Sequence, residues 1–180
     1  NKGCVPVTIN FENQTIDAVS YLWDFNTGDT FTVQDTSYTF EFAGDFIVSL
    51  TAYGYCNTSS TFSKEINIYE NPIANFDPEP DTVVIEQAVR FFDFTTGADI
   101  YFWEFGDGDV SVESSPIHLY KEPGIYTVRL IASSENGCKD TLEMKNAVTV
   151  ADEPYVVFPT AFSPNGDSHN DYFIPIYGQI

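Results

Sequence analysis

Two acids on one turn, two histidines and three cysteines carry most of the reactive potential of this sequence. Asp107 and Asp109 stand in Gly106-Asp-Gly-Asp109. Paired carboxylates do general acid and base work when they flank a bond from opposite sides. Two acids on one hairpin turn lack those opposed faces, so Asp107 is expected to cap its own turn. A triad needs a nucleophile and an acid around a positioned imidazole. His118 and His169 are the 2 histidines, and no triad assembles around either. No catalytic residue is expected, and the chain does not read as an enzyme.

Asn165, Asp167, Asn170 and Asp171 put four oxygen ligands within seven residues. A hard cation such as calcium takes about six to eight oxygens, and short acid–Asn loops supply them. The same spacing also suits an Asx-turn loop whose side chains bond their own backbone. Calcium is the one cofactor suggested. Cys4, Cys56 and Cys138 fit no zinc spacing. Cys4 and Cys56 lie in the same half of the chain and are expected to pair, leaving Cys138 over. Such a bridge presupposes an oxidising compartment and stabilises by about 4 kcal/mol in the chain-entropy picture.

These groups are positioned by strands. Hydrophobic residues make up 43% of the 180 residues and aromatics 16%, with 1 Met. Ala/Leu/Glu/Lys-rich helical stretches are absent, which favours β structure. The formal net charge is -20, from 27 acidic and 7 basic residues. That field repels phosphate, so nucleic acid and anionic lipid are excluded as partners. No apolar run reaches the roughly 18 residues of a membrane span. No basic-then-apolar leader follows Asn1, and the chain reads as a fragment of a larger protein.

The strongest pattern is Tyr101-Phe-Trp-Glu-Phe-Gly-Asp-Gly108. Tyr101, Trp103 and Phe105 share one face at strand period. Gly106 and Gly108 allow the tight reversal that follows. Tyr21-Leu-Trp-Asp-Phe25 repeats the strand 80 residues upstream. At the same offset Tyr120 answers Phe40, Gly124 answers Gly44, and Tyr126, Val128 and Leu130 answer Phe46, Val48 and Leu50. Gly106-Asp-Gly108 is matched to Thr27-Gly-Asp29. Trp23 and Trp103 are therefore expected as core anchors. Short strands without helix signals point to a sandwich in each repeat. Glu122-Pro-Gly-Ile-Tyr126 fits a tyrosine corner, with Tyr126 bonding back upstream. The reading is all-β: tandem Ig-like sandwiches over residues 1–70 and 71–152, then the first strands of a further β domain over 153–180.

Trp103-Glu-Phe-Gly-Asp-Gly108, Pro116-Ile-His-Leu-Tyr120 and Gly124-Ile-Tyr-Thr-Val-Arg-Leu130 resemble the signature of the PKD (polycystic kidney disease) domain. The first repeat departs more: Asn26-Thr-Gly-Asp29 stands at the turn and the Pro-x-His stretch is missing. The resemblance implies an extracellular β-sandwich used as a spacer or adhesive module, without catalysis.

The tail resembles a second family. Phe158, Pro159, Phe162, Pro164, Asn165, Gly166, Asp167, Asn170, Asp171 and Phe173 match the opening of the gliding-motility-associated C-terminal domain, the type B sorting domain of the Bacteroidetes type IX secretion system. Ser168 stands where the family has Gly. Gly166-Asp-Ser168 also resembles the nucleophile segment of a hydrolase family, but that family needs a later Asp-x-x-His. The sorting resemblance implies a large adhesin of the SprB gliding type, secreted and held at the outer membrane on the cell surface. Its implied partners are the type IX translocon, a PorP/SprF-like outer-membrane β-barrel and neighbouring repeats of the same chain. In such a bacterium Asp81-Thr-Val83 and Asp140-Thr-Leu142 resemble an O-glycosylation sequon, with Thr82 and Thr141 as acceptors. The alternative function is an accessory spacer or carbohydrate-binding region of a secreted polysaccharide-degrading enzyme. Exposed aromatics would support it, and core positions for Trp23 and Trp103 oppose it.

Overall fold

The computed structural model describes residues 2–152 and the backbone of Val156–Val157 and Ile176–Tyr177. Two compact units result. Unit 1 comprises Asn1–Ala74, Thr95–Ile100 and Ala132–Asp140; unit 2 comprises Asn75–Phe94, Tyr101–Ile131 and the chain from Thr141 onward. Among the described residues no helix is long and apolar enough to cross a membrane.

The first repeat contributes β1 (Lys2–Cys4), β2 (Val7–Phe11), β3 (Ser20–Asp24), β4 (Thr30–Phe31), β5 (Thr36–Phe40), β6 (Gly44–Tyr53) and β7 (Ser59–Tyr69). One sheet runs β1-β7-β6-β3-β4 and the other pairs β2 with β5. Alternation sets the faces. In β6, Val48 and Ala52 are buried while Ile47 and Tyr53 are exposed, as a period of two requires. Between the sheets lie Trp23, Phe25, Phe40, Val48, Ile66 and Ile68. Burying one such aromatic contributes about 2 kcal/mol.

The second repeat contributes β8 (Phe76–Glu79), β9 (Thr82–Val84), β10 (Ala88–Asp93), β11 (Ile100–Glu104), β12 (Val110–Ser111), β13 (Ile117–Leu119), β14 (Gly124–Ser133) and β15 (Lys139–Ala151). Its sheets are β12-β11-β14-β15-β9 and β13-β10-β8. Its core is tighter: Phe91, Trp103, Tyr120, Val128 and Leu130 are each 0% exposed. β14 and β15 join through the predicted hairpin, where Gly137 adopts φ 91° and donates to Ser134 O at 2.9 Å. β16 (Val156–Val157) falls in the expected tail strand and pairs antiparallel with β17 (Ile176–Tyr177).

The cysteine expectation is overturned. Cys4 is bridged to Cys138, their Cα atoms 5.5 Å apart, and both lie in unit 1. Cys56 is free and exposed. The strand register gives the reason. β1 runs parallel to β7 and sets Cys4 opposite Tyr69. Cys56 lies in the turn Tyr55–Asn57, beyond the Tyr53–Ser59 end of the β6–β7 ladder. From Ser59 to Tyr69 the strand extends about 33 Å at its usual rise. A disulfide requires Cα atoms within about 7 Å.

Candidate functional site

The acid–glycine turn after each tryptophan strand gathers the titratable side chains. In unit 2, Phe105 N donates to Asp109 O at 3.2 Å and closes the turn. Asp109 N donates to Asp107 Oδ1 at 3.0 Å, so Asp107 caps its own turn as expected. Gly106 and Gly108 adopt φ 90° and 100°. A Cβ on Gly106 would lie 2.5 Å from Thr127 O, so this position admits no side chain without a shift.

His118, on β13, completes the arrangement. His118 Nε2 donates to Asp107 Oδ2 at 2.6 Å. Its ring stacks on Phe105 at 4.1 Å and meets Tyr120 edge-on at 4.6 Å. Tyr120 in turn stacks on Tyr126 at 4.2 Å. Tyr120 is wholly buried and donates to Phe105 O at 3.2 Å. Burial first, and the Asp107 charge second, raise the Tyr120 hydroxyl well above its ordinary range. Tyr126 is raised by the same two causes in the same order, with Glu122 adding to them.

Unit 1 carries the same stack with different polar tips. Phe25 stacks on Tyr38 at 4.2 Å, Tyr38 meets Phe40 edge-on at 4.9 Å, and Phe40 packs on Phe46 at 4.7 Å. Tyr38 occupies the His118 position. Its hydroxyl donates to Asp29 Oδ2 at 2.6 Å and also lies 2.8 Å from Thr27 Oγ1. The bond to Asp29 is the main cause that raises the Tyr38 hydroxyl. The turn itself corrects the sequence alignment by one residue. Phe25 N donates to Asp29 O, and Asn26 and Gly28 take positive φ of 58° and 95°. Asn26-Thr27-Gly28 therefore answers Gly106-Asp107-Gly108. Asn tolerates the left-handed region better than most residues.

The other predicted positions fall as follows. Trp23 is 5% exposed and Trp103 0%. Trp103 Nε1 donates to Glu113 O at 2.8 Å, and Trp23 Nε1 to Val33 O at 3.2 Å. Both are core anchors whose one polar atom is satisfied. Tyr126 OH donates to Glu122 O at 2.7 Å, which forms the tyrosine corner. Thr82 and Thr141 are exposed. The candidate calcium ligands Asn165, Asp167, Asn170 and Asp171, and the sorting positions Phe158, Pro159, Phe162, Pro164, Gly166 and Phe173, lie outside the described residues. Sequence reasoning did not find the Asp107–His118 bond, although His118 stands on the same strand face as Tyr120 and that spacing was the available signal.

Chemically, the Asp107, Asp109 and His118 ligand atoms lie within 4.8 Å of one another. Both Asp107 oxygens are already engaged, one by a backbone N–H and one by the imidazole. The arrangement is a clamp that ties the turn after β11 to β13. It presents no free nucleophile–base pair.

Comparison with known proteins places this geometry. Residues 4–63 and 69–150 each match a family model described as PKD domain. Collagenase ColA of Clostridium perfringens is 28% identical over 130 residues, which is 69% of this chain and 11% of that protein. Collagenase ColA of Bacillus cereus is 32% identical over 80 residues, 42% of this chain and 8% of that protein. The chain thus spans about a tenth of the length of these relatives. The solved PKD1 domain of Vibrio anguillarum Epp is 29% identical and covers 45% of this chain and 96% of its own, with a TM-score of 0.38.

Proposed function

Because this chain carries two tandem PKD domains, at residues 4–63 and 69–150, we propose that it is a non-catalytic accessory spacer of a larger extracellular protein, with module limits at 1–70, 71–152 and 153–180. The observation that carries this reading is the internal use of the polar groups. In the acid–histidine cluster Asp107 is bonded on both oxygens. Both indoles are buried, so neither offers the open face on which a sugar ring stacks. A spacer reading is favoured over a carbohydrate-binding one on that ground. The collagenase relatives support a place beside a hydrolytic domain, since each is matched over a short stretch of its length.

The test is direct. The purified chain is assayed for turnover of gelatin and of soluble polysaccharides, and for retention on insoluble collagen and cellulose. Neither turnover nor retention is expected. Hydrolysis abolished by Asp107→Asn would overturn the non-catalytic reading, and glycan retention lost on substituting exposed Tyr55 would restore the carbohydrate-binding one.

A second reading is favoured by the tail alone. Phe158–Phe173 resembles the type B sorting signal, so the two domains would stand as the stalk of an adhesin delivered by the type IX translocon. Attachment would then be to a PorP/SprF-like barrel at the outer membrane. Deleting residues 158–173 should leave the protein in the periplasm. Unchanged surface display after that deletion would remove the sorting role.

A further inference from the structure

We propose that unit 2 carries a binding site for a divalent transition-metal ion of the zinc class, with Asp107, Asp109 and His118 as its protein ligands. The ion replaces the proton that lies between Asp107 and His118, and that proton leaves to solvent. The inference goes beyond the spacer reading and does not depend on it.

One ligand atom from each of the three residues lies within 4.8 Å of the others. Asp107 and Asp109 stand on the turn after β11, and His118 on β13. Imidazole with carboxylate suits zinc and its first-row neighbours, whereas calcium takes about six to eight oxygens. Three protein ligands leave one position of a tetrahedral ion to water. His118 Nε2 already faces Asp107 Oδ2 at 2.6 Å. Ligand atoms about 2.1 Å from a tetrahedral ion stand about 3.4 Å apart, so this pair parts by about 0.8 Å on binding. The exposed Asp109 side chain swings in to close the set. Asp109 also borders an open groove of about 340 Å³, which gives the ion and its water an entry path. The other two ligands are held in advance. Asp107 Oδ1 accepts from Asp109 N at 3.0 Å. The imidazole lies flat on Phe105, 4.1 Å away and 5° from parallel. The Asp107 and His118 side chains are 18% and 10% exposed, and outer contacts of this kind fix ligand orientation.

The internal repeat supplies an independent comparison. At the 80-residue offset, Thr27, Asp29 and Tyr38 stand in unit 1 where Asp107, Asp109 and His118 stand in unit 2. There the turn is tied to β5 by Tyr38 OH, which donates to Asp29 Oδ2 at 2.6 Å and lies 2.8 Å from Thr27 Oγ1. The clamp therefore works with one carboxylate and two hydroxyls. Neutral hydroxyls are weak donors to a zinc-class ion, and the Tyr38 hydroxyl keeps its proton because it is bonded to Asp29. Joining the turn to its neighbouring strand thus calls for neither an imidazole nor a second acid. Holding a zinc-class ion calls for both, and the two carboxylates of unit 2 also balance the charge of a dication.

The experiment titrates zinc into the full chain carrying Cys56→Ser, which removes the exposed free thiol. Excess calcium is present throughout to occupy loose acidic sites. Calorimetry reads stoichiometry and affinity, and long-range nitrogen–proton NMR reads the His118 ring. One ion per chain is expected, with the His118 Nε2 signal moved to a metal-bound position. His118→Gln and Asp109→Asn should each weaken binding by at least about tenfold, the least that changes around a metal ligand cost. Asp109→Asn leaves the Asp107–His118 bond in place, and its zinc-free melt should match that of the parent, which separates lost coordination from lost folding. His169→Gln, at the other histidine, and Asp29→Asn in unit 1 should leave affinity unchanged. Absence of zinc binding in excess calcium overturns the proposal. So does binding that survives His118→Gln or Asp109→Asn, or that His169→Gln abolishes.

Discussion

Replacing Cys138 by Ser removes the bridge to Cys4 without touching the turn clamps. The two cysteines are 134 residues apart in sequence. In the chain-entropy picture, opening a loop of that size costs about 5 kcal/mol, near the upper end of measured disulfide effects. Cys138 is also 1% exposed, so the orphaned hydroxyl adds a desolvation term of about 1 kcal/mol. Urea unfolding monitored by tryptophan fluorescence reads the loss. At roughly 2 kcal/mol per molar urea the midpoint should fall by about 2 M or more. Cys4→Ser should fall by a similar amount, and reductant, which opens the bridge but leaves a thiol at 138, should bring the parent most of the way to the Cys138→Ser midpoint. Cys56→Ser should leave the midpoint unmoved, because Cys56 is exposed and unbridged. A large loss in Cys56→Ser with none in Cys138→Ser would refute the register argument, as would a Cys4–Cys56 peptide found by mass mapping.

Other perturbations separate the local contributions. Gly106→Ala should destabilise by about 2 kcal/mol, since its φ of 90° and the Thr127 oxygen both oppose a side chain. Gly108→Ala, with nothing within 4 Å of a Cβ, should cost about half as much, and thermal melts of the pair give the comparison. Asp107→Ala strands the buried His118 and uncaps the turn, a loss of about 2 kcal/mol in urea titrations; Tyr38→Phe, in the more open clamp of unit 1, should lose less than about 1 kcal/mol. Tyr120 keeps its proton above its ordinary value of 10.0 in the fold, so the folded state binds more protons than the unfolded one above that pH. Stability is therefore full below about pH 10 and should decline above it by about 1.4 kcal/mol per pH unit. Tyr120→Phe should flatten that slope in alkaline melts, and an unchanged slope would mean another group is responsible.

Much of the architecture was legible along the chain. Strand period put Trp23 and Trp103 inward, and their 80-residue spacing marked two copies of one fold. Glu122-Pro-Gly-Ile-Tyr126 announced the corner that Tyr126 OH closes on Glu122 O. These are local statements, because side-chain alternation and turn chemistry act over a few residues. The pairings between distant residues were not legible. Proximity in sequence favoured Cys56 for Cys4, whereas the parallel seat of β1 on β7 carried Cys4 to the far end of the ladder. His118 read as part of a motif, and only the stacking of β13 over the turn showed its bond to Asp107. The sheet orders of the described residues, such as β13-β10-β8 in unit 2, appear only once pairing is known. Periodicity tells which face a residue takes; register and sheet order decide which residue from elsewhere it meets there.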